Sequence, residues 1–319
     1  MTGRDRSGGT RAWGLTVAVL AALAAMWPLL PDYNQITLAR VMVFAIFAIG
    51  YNILFGYTGL LSLGHALFFA AGLYAAGLGA RDGGLTAVPA FLAGILAGAG
   101  LAAGVGALAL RTAGVAFMIV TLMFAQAGYL ALLYFNEWTR GDEGFNLPAA
   151  SRTVLGLELA GADMRYGTAL ALFALATLIA TWLARSPLGR VMVAVRENEA
   201  RAAMLGYDTG RVKLAAVTIS GAFSGAAGAA YGLIDGYAGA TFASVQYSIL
   251  PLLWVLVGGA GTVLGPLVGA VFMFYLIDLT SGLTDAYMLV AGAVLVLVTL
   301  FAPRGIMGEV RRRVARWLP

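Results

Sequence analysis

The sequence predicts an all-α, polytopic membrane protein with about 8–10 transmembrane helices and glycine-rich breaks between some of them. Three observations carry that prediction. Hydrophobic residues make up 61% of the 319 and charged residues only 11%, against roughly 25% charged in an ordinary globular domain. Apolar windows of about 20 residues, the length at which a helix crosses ~30 Å of hydrocarbon, recur along almost the whole chain. Glycine and proline interrupt them at 56–64 and 258–266, and a bilayer tolerates such breaks only where protein or a wet cavity satisfies the freed backbone groups.

The first span is placed at 12–30. Its basic lead, MTGRDRSGGTRAW, imitates a secretory signal. The apolar stretch is longer than a usual signal core, ends in WPLLP with no clear cleavage site and precedes many further spans, so it is read as uncleaved. The others follow at 36–55, 60–80, 85–110, 113–135, 166–184, 212–235, 245–259, 262–281 and 285–302. Repetition is weak: GYTGLLSLGHALFFAAG at 56–72 and GGAGTVLGPLVGAVF at 258–272 share glycine spacing and little else.

Basic residues orient these spans. With a cytoplasmic N-terminus, 15 Lys and Arg fall on inside segments and five (Arg40, Arg81, Arg140, Arg152, Arg165) on outside ones, as the positive-inside rule requires. Both termini are then cytoplasmic. The longest outside loop, 136–165, has five acids against three arginines. Its Asp142 and Glu143 are read as a solvated face or a contact for an outside protein. The excess of positive charge reflects membrane orientation, and nucleic-acid binding is not expected.

Several chemistries are excluded. Zero cysteines and one histidine rule out disulfides, thiolate sites and a multi-histidine metal centre. No P-loop is present, because GGAGTVLG at 258–265 has the glycines without the lysine. An energy source must therefore lie on another chain, or transport is passive. The lone His65 has no acid near it in sequence, so no nucleophile, base and orienter come together for an intramembrane enzyme.

GYTGLLSLGH, 56–65, has glycines at 56, 59 and 64 with Tyr57, Thr58, Ser62 and His65 between and after them. Two readings stand. A broken helix offers its N-terminal N–H groups to an anionic substrate group, or the glycines allow tight packing while the polar side chains bond across helices. Thr121 and Gln126 lie in an otherwise apolar span and need partners in the bundle interior or along a wet path.

The inside stretch 184–213 has helix signals of its own. Ser186 followed by Pro187 starts one short helix. Asn198 caps a second through EARAAML, and Gly206 stops it. Glu197 and Glu199 lie near the second N-terminus, where the helix dipole favours anions. The result is either a solvated connection or a compact element that another protein grips. At the end, RRRVAR (311–316) and Trp317 form a basic anchor beside anionic headgroups.

SPLGRVMVAVRENEARAAMLGYDTGRVKLAAVTISGAFSGAAGAAYG, 186–232, resembles the corresponding stretch of permease subunits of branched-chain amino acid ABC transporters, the LivM-type family. GYNILFGYTGLLSLGHALFFAAGLYAA (50–76), GVAFMIVTLMFAQ (114–126), WTRGDEGFNLP (138–148), GGAGTVLGPLVGA (258–270) and LFAPRGIMG (300–308) are similar to further family signatures. They fall in the expected order over almost the whole chain. Three departures stand out: Arg140 where glycine is usual, no proline in GATFASVQ (239–246), and only approximate E-A-A and glycine spacing in the inside loop.

The resemblance implies a single transmembrane permease domain over 1–319, with 136–165 as outside loop, 185–211 as cytoplasmic coupling loop and 303–319 as basic cytoplasmic tail. It implies half of the translocation path of an ATP-driven importer for branched-chain or other hydrophobic amino acids in a bacterial-type cytoplasmic (inner) membrane. The expected partners are a second permease subunit, two ATPase subunits that hold ATP and Mg, and an extracytoplasmic substrate-binding protein; this chain binds no cofactor. The expected path residues are Gly56, Tyr57, Thr58, Gly59, Ser62, His65, Thr121 and Gln126. ATPase coupling falls to Arg196, Glu197, Glu199, Arg201 and Gly206, and binding-protein contact to Asp142 and Glu143. The alternatives are a urea or short-amide permease of the same family, or a passive channel or secondary transporter.

Overall fold

Among the described residues, helices stand where hydropathy places the spans. The computed structural model describes residues 3–154, 157–284 and 286–313. In it the spans are α1 (Gly3–Met26), α2 (Asp32–Asn52), α3 (His65–Arg81), α4 (Ala87–Ala109) and α5 (Val115–Tyr134). After a short α6 (Asn136–Thr139) come α7 (Ala162–Arg185), α8 (Pro187–Glu197), α9 (Glu199–Met204) and α10 (Thr209–Asp235). The chain ends with α11 (Val245–Gly258), α12 (Gly265–Ser281), α13 (Tyr287–Phe301) and α14 (Gly305–Arg313). Residues 314–319, with Trp317 and the end of the RRRVAR run, lie outside the described residues.

Among the described residues five helical segments are long and apolar enough to cross a bilayer alone, the first running unbroken from Asp32 to Tyr57. The protein is a multi-pass membrane protein. Both glycine-rich interruptions are real breaks: α2 continues as one wide turn over Ile53–Tyr57 and helix resumes only at His65, while 259–264 separates α11 from α12. The weak sequence repeat thus corresponds to two helix–break–helix units.

α2 is the central post, buried along nearly all its length from Leu38 onward. α10 packs on it and on α3 and α4 through small residues. A Cβ on Gly98 would lie 2.6 Å from the Gly221 carbonyl oxygen, and one on Gly50 2.8 Å from that of Ser220. Lipid tails are as apolar as leucine, so helix association in a membrane rests on such close backbone approach. α5 is peripheral: its buried residues are Phe117, Thr121 and Ala125, one narrow stripe at four-residue spacing.

The two ends of the bundle differ. At one end β1 (Phe145–Asn146) pairs antiparallel with β4 (Tyr237–Ala238), Phe145 opposite Ala238, and β2 (Thr153–Val154) pairs with β3 (Leu157–Glu158). These short ladders are the exception to an all-α fold. The first ties the 136–165 loop to the end of α10, whose last carbonyls need partners outside the helix. Arg152 supplies two, donating to Leu233 and Ile234 oxygens at 2.8 and 2.6 Å. Asp235, only 7% exposed, sits between Arg40 at 3.0 Å and Arg165 at 3.7 Å. Asp278 accepts from the Tyr33 hydroxyl at 2.9 Å. α8, α9, α14 and both breaks gather at the opposite end.

Candidate functional site at the meeting of two helix breaks

The two breaks touch. A Cβ on Gly56 would fall 2.5 Å from the Gly261 nitrogen, so only glycine lets the two backbones lie this close. Asn52, one turn before the first break, clamps the second: its amide donates to the Thr262 carbonyl at 2.9 Å and accepts from the Gly261 N–H at 2.8 Å. Thr262 then turns its hydroxyl onto the Gly259 carbonyl at 2.7 Å.

The donors at the start of α3 are engaged. Leu63 N–H donates to Thr121 Oγ1 at 3.2 Å, Gly64 N–H to Ser62 Oγ at 3.1 Å and Ala66 N–H to Ser248 Oγ at 2.9 Å. Hydroxyls from α5, the break and α11 hold the groups that an anion would use at an open helix N-terminus. Thr121 therefore joins the break.

His65 is fully buried, with the rings of Phe47, Tyr51 and Phe68 around it. The Ser220 hydroxyl gives its one proton to the Gly50 carbonyl at 2.6 Å. It must then accept from His65 Nε2–H, 2.7 Å away. Nδ1 is left without a partner among the described residues. His65, the Ser220 hydroxyl and the Gly50 carbonyl thereby link α3, α10 and α2.

The remaining break residues turn inward. Thr58 donates to the Ile53 carbonyl at 3.1 Å, and Tyr51 donates to the Ser62 carbonyl at 3.0 Å. Tyr57 is buried, and Ala180, Leu183 and Met192 line the small space beside it. Gly59 adopts φ +77° and faces the stem of Arg196, whose Cγ would be 2.8 Å from a Cβ there. Gln126 does not join the group. It is exposed on α5, because five residues of helix turn it well away from the Thr121 stripe.

The 185–211 segment folds as its caps predict. Ser186 Oγ accepts from Gly189 N–H at 3.1 Å and Asn198 Oδ1 from Arg201 N–H at 2.8 Å, while Gly206 takes φ +87°. Glu199 pairs with Lys213 at 2.5 Å; Glu197 and Arg201 are exposed. From α8, Arg196 donates through Nη1 to the Gly56 carbonyl, joining this segment to the first break. At the end of α9, Met204 and Leu205 are 87% and 72% exposed.

Far away, Asp142 and Glu143 are exposed in the 136–165 loop. Asp142 meets the Tyr129 hydroxyl at 3.4 Å, and the Glu143 carbonyl accepts from Tyr237 at 3.1 Å. Beside them Arg81 donates to the Trp138 carbonyl at 2.9 Å and lies 4.3 Å over the Phe145 ring. Its hydrogen bonds to Asp82 hold that carboxyl below its ordinary range.

The two breaks thus form one junction held by Asn52, Thr262 and the Arg196 side chain. Comparison with known proteins gives it a family. Residues 35–299 match the family described as branched-chain amino acid transport system / permease component. The chain belongs to that family. The permease is 30% identical to the high-affinity branched-chain amino acid transport system permease protein LivM of Salmonella typhimurium, over 95% of this chain and 77% of the relative, and equally so to LivM of Escherichia coli K12. It is 24% identical to the LivH permease protein of Escherichia coli K12, over 87% of this chain and 94% of the relative. No solved structure matches it.

The permease is thus a transporter component. Sequence patterns do not single out Asn52, Ser220, Ser248 or Thr262, although these make the joint. Asn52 carried a signal, as an amide in an apolar span one turn ahead of a break. Ser220 and Ser248 carried none, because serine in a small-residue helix reads as packing.

Proposed function

We propose that the chain is one of two permease subunits of an ATP-driven ABC importer that carries branched-chain or other hydrophobic amino acids into the cell. The observation that carries this reading is the bond from Arg196 of α8 to the Gly56 carbonyl, which ties an exposed helical loop to the joint between the breaks. A force applied to that loop reaches the membrane-spanning helices through a short, rigid link. The exposed Met204, Leu205 and Tyr207 suit burial in a groove on an ATPase subunit.

In this reading two ATPase subunits bind ATP and Mg, and this chain binds no cofactor. The end bearing α8, α9 and α14 faces the cytoplasm, with both chain termini, in a bacterial-type inner membrane. The opposite end, with Asp142 and Glu143, meets an extracytoplasmic binding protein that delivers the solute. A second permease subunit completes the path against this one. That the LivM and LivH relatives are permeases of branched-chain amino acid transport systems supports branched-chain amino acids over urea or short amides as the solute.

The test is uptake of radiolabelled leucine, with urea and acetamide in parallel, into proteoliposomes holding this chain, its partner permease, the ATPases and the binding protein. Leucine uptake that needs both ATP and the binding protein is expected. Uptake of urea or acetamide alone would replace the solute, and flux without ATP would replace the importer with a passive channel.

A further inference from the structure

Where α14 folds back under the second break, a cavity of about 680 Å³ opens between α8, α11 and α14. Four arginines, all exposed, line it: Arg196, Arg304, Arg311 and Arg312. Thr262 lies at its edge, and Leu256 and Pro303 form an apolar wall.

The charge balance is lopsided. Arg312 shares the Glu309 carboxylate with Arg313, each at 2.5 Å. Arg196 bonds a neutral carbonyl, that of Gly56. Among the described residues Arg304 and Arg311 have no ion-pair partner. Like charges brought together on one concavity repel, and the low-dielectric walls of a cleft strengthen that repulsion. Here four line one cavity from three separate segments, an arrangement that a bound anion would stabilise.

We propose that this cavity is a binding site for a phosphate group. Guanidinium forks match phosphate oxygens in planar, bidentate geometry. Leu256 and Pro303 beside them suit the glycerol and upper acyl carbons of an anionic phospholipid, and the cavity also has room for a free phosphate or pyrophosphate. Because Arg196 contributes to both the cavity and the Gly56 bond, occupancy bears on the joint: an anion competes with the Gly56 carbonyl for that guanidinium. The inference rests on the arginine geometry alone and does not depend on the transported solute.

Two probes distinguish the sources. The full chain is purified in neutral detergent after exposure to mixed phosphatidylglycerol and phosphatidylcholine, and retained lipid is read by native mass spectrometry. Separately, labelled pyrophosphate is titrated by equilibrium dialysis at low and high salt. Saturable binding of one anion per chain in at least one arm is expected, weakened roughly tenfold in R304Q/R311Q and little changed in R313Q, whose guanidinium lies outside the lining. Retained phosphatidylglycerol without pyrophosphate binding assigns the site to lipid, and the reverse assigns it to soluble phosphate. No saturable binding in either arm, or equal weakening by R313Q, overturns the proposal. If the double variant does not purify, R311Q alone is expected to lose several-fold, and unchanged binding there overturns it equally.

Discussion

Arg196, the penultimate residue of α8, donates its Nη1 proton to the carbonyl oxygen of Gly56 in the first helix break. The bond spans 140 residues of sequence and brings α8 to both breaks, since a Cβ on Gly261 would also lie 2.9 Å from the same Nη1. A charge-assisted hydrogen bond of this kind contributes about 1.5–3 kcal/mol. Removing it in Arg196→Ala is expected to leave ATP hydrolysis by the assembled transporter running while leucine uptake per ATP falls roughly tenfold. Equal ratios of uptake to hydrolysis in the variant and the parent would show that the bond transmits nothing.

Gly59 tests the same joint from the other side. Its φ of +77° is a conformation that a β-branched residue adopts only as an outlier. A valine Cβ would also press on Arg196 Cγ at 2.8 Å. Gly59→Val is expected to cost about 2 kcal/mol or more locally and to abolish uptake while the chain still co-purifies with its partner permease. Retained uptake would mean the break can rearrange freely around Arg196.

For His65, stability and substrate affinity should separate. Ser220→Ala leaves His65 Nε2–H without its partner, at a cost of roughly 1–3 kcal/mol for that buried group. His65→Ala adds a cavity and costs about 2–4 kcal/mol. Both variants are expected to lower the thermal midpoint of the purified chain and to leave the KM for leucine unchanged. A raised KM at normal stability would turn His65 into a substrate contact.

The outer loop carries a pH signature. Arg81 holds Trp138 and Phe145 while Asp82 holds Arg81 through two 2.7 Å bonds. The Asp82 carboxyl is depressed by that pairing, so its contribution is complete above the ordinary aspartate range and is lost as pH falls through the lower, folded value. Hydrogen exchange in 136–146 is expected to stay flat from neutral pH down to about 5 and to rise only in stronger acid, after correction for intrinsic rates. Asp82→Asn should show the raised exchange already at neutral pH. A parent whose exchange changes between pH 7 and 5 would contradict the assignment.

Much of the fold was legible because a bilayer imposes simple rules. Ten apolar segments, both breaks, and the caps at Ser186, Asn198 and Gly206 follow from hydropathy and local chemistry, which act over a few residues. The joint was half legible. The glycines at 56 and 59 announce a break, but that Gly56 meets Gly261, and that Asn52 and Arg196 hold them, depends on contacts between segments 140 or more residues apart. Helical phase decided the rest: Thr121 falls on the buried stripe of α5 and Gln126 off it. Neither residue's chemistry foretells that. The 56–72 and 258–272 repeat was too faint in sequence to suggest a shared shape, because a break needs only glycine spacing and leaves the flanking side chains unconstrained.

Arg140, the residue that departs from the family's usual glycine, is the one described non-glycine residue with positive φ, at 58° with ψ 16°. It ends α6 in the left-handed conformation, and its N–H still reaches the Asn136 carbonyl at 2.8 Å, so the backbone keeps the shape glycine serves elsewhere. An L residue there costs about 1–2 kcal/mol, partly offset because glycine would lose about 0.5–1 kcal/mol more chain entropy on folding. Arg140→Gly is therefore expected to stabilise the loop by up to about 1 kcal/mol, seen as slower hydrogen exchange in 136–146. Arg140→Ala keeps the Cβ and should give no such gain. Faster exchange in the glycine variant would show that the arginine side chain, rather than the turn it occupies, holds this loop in place.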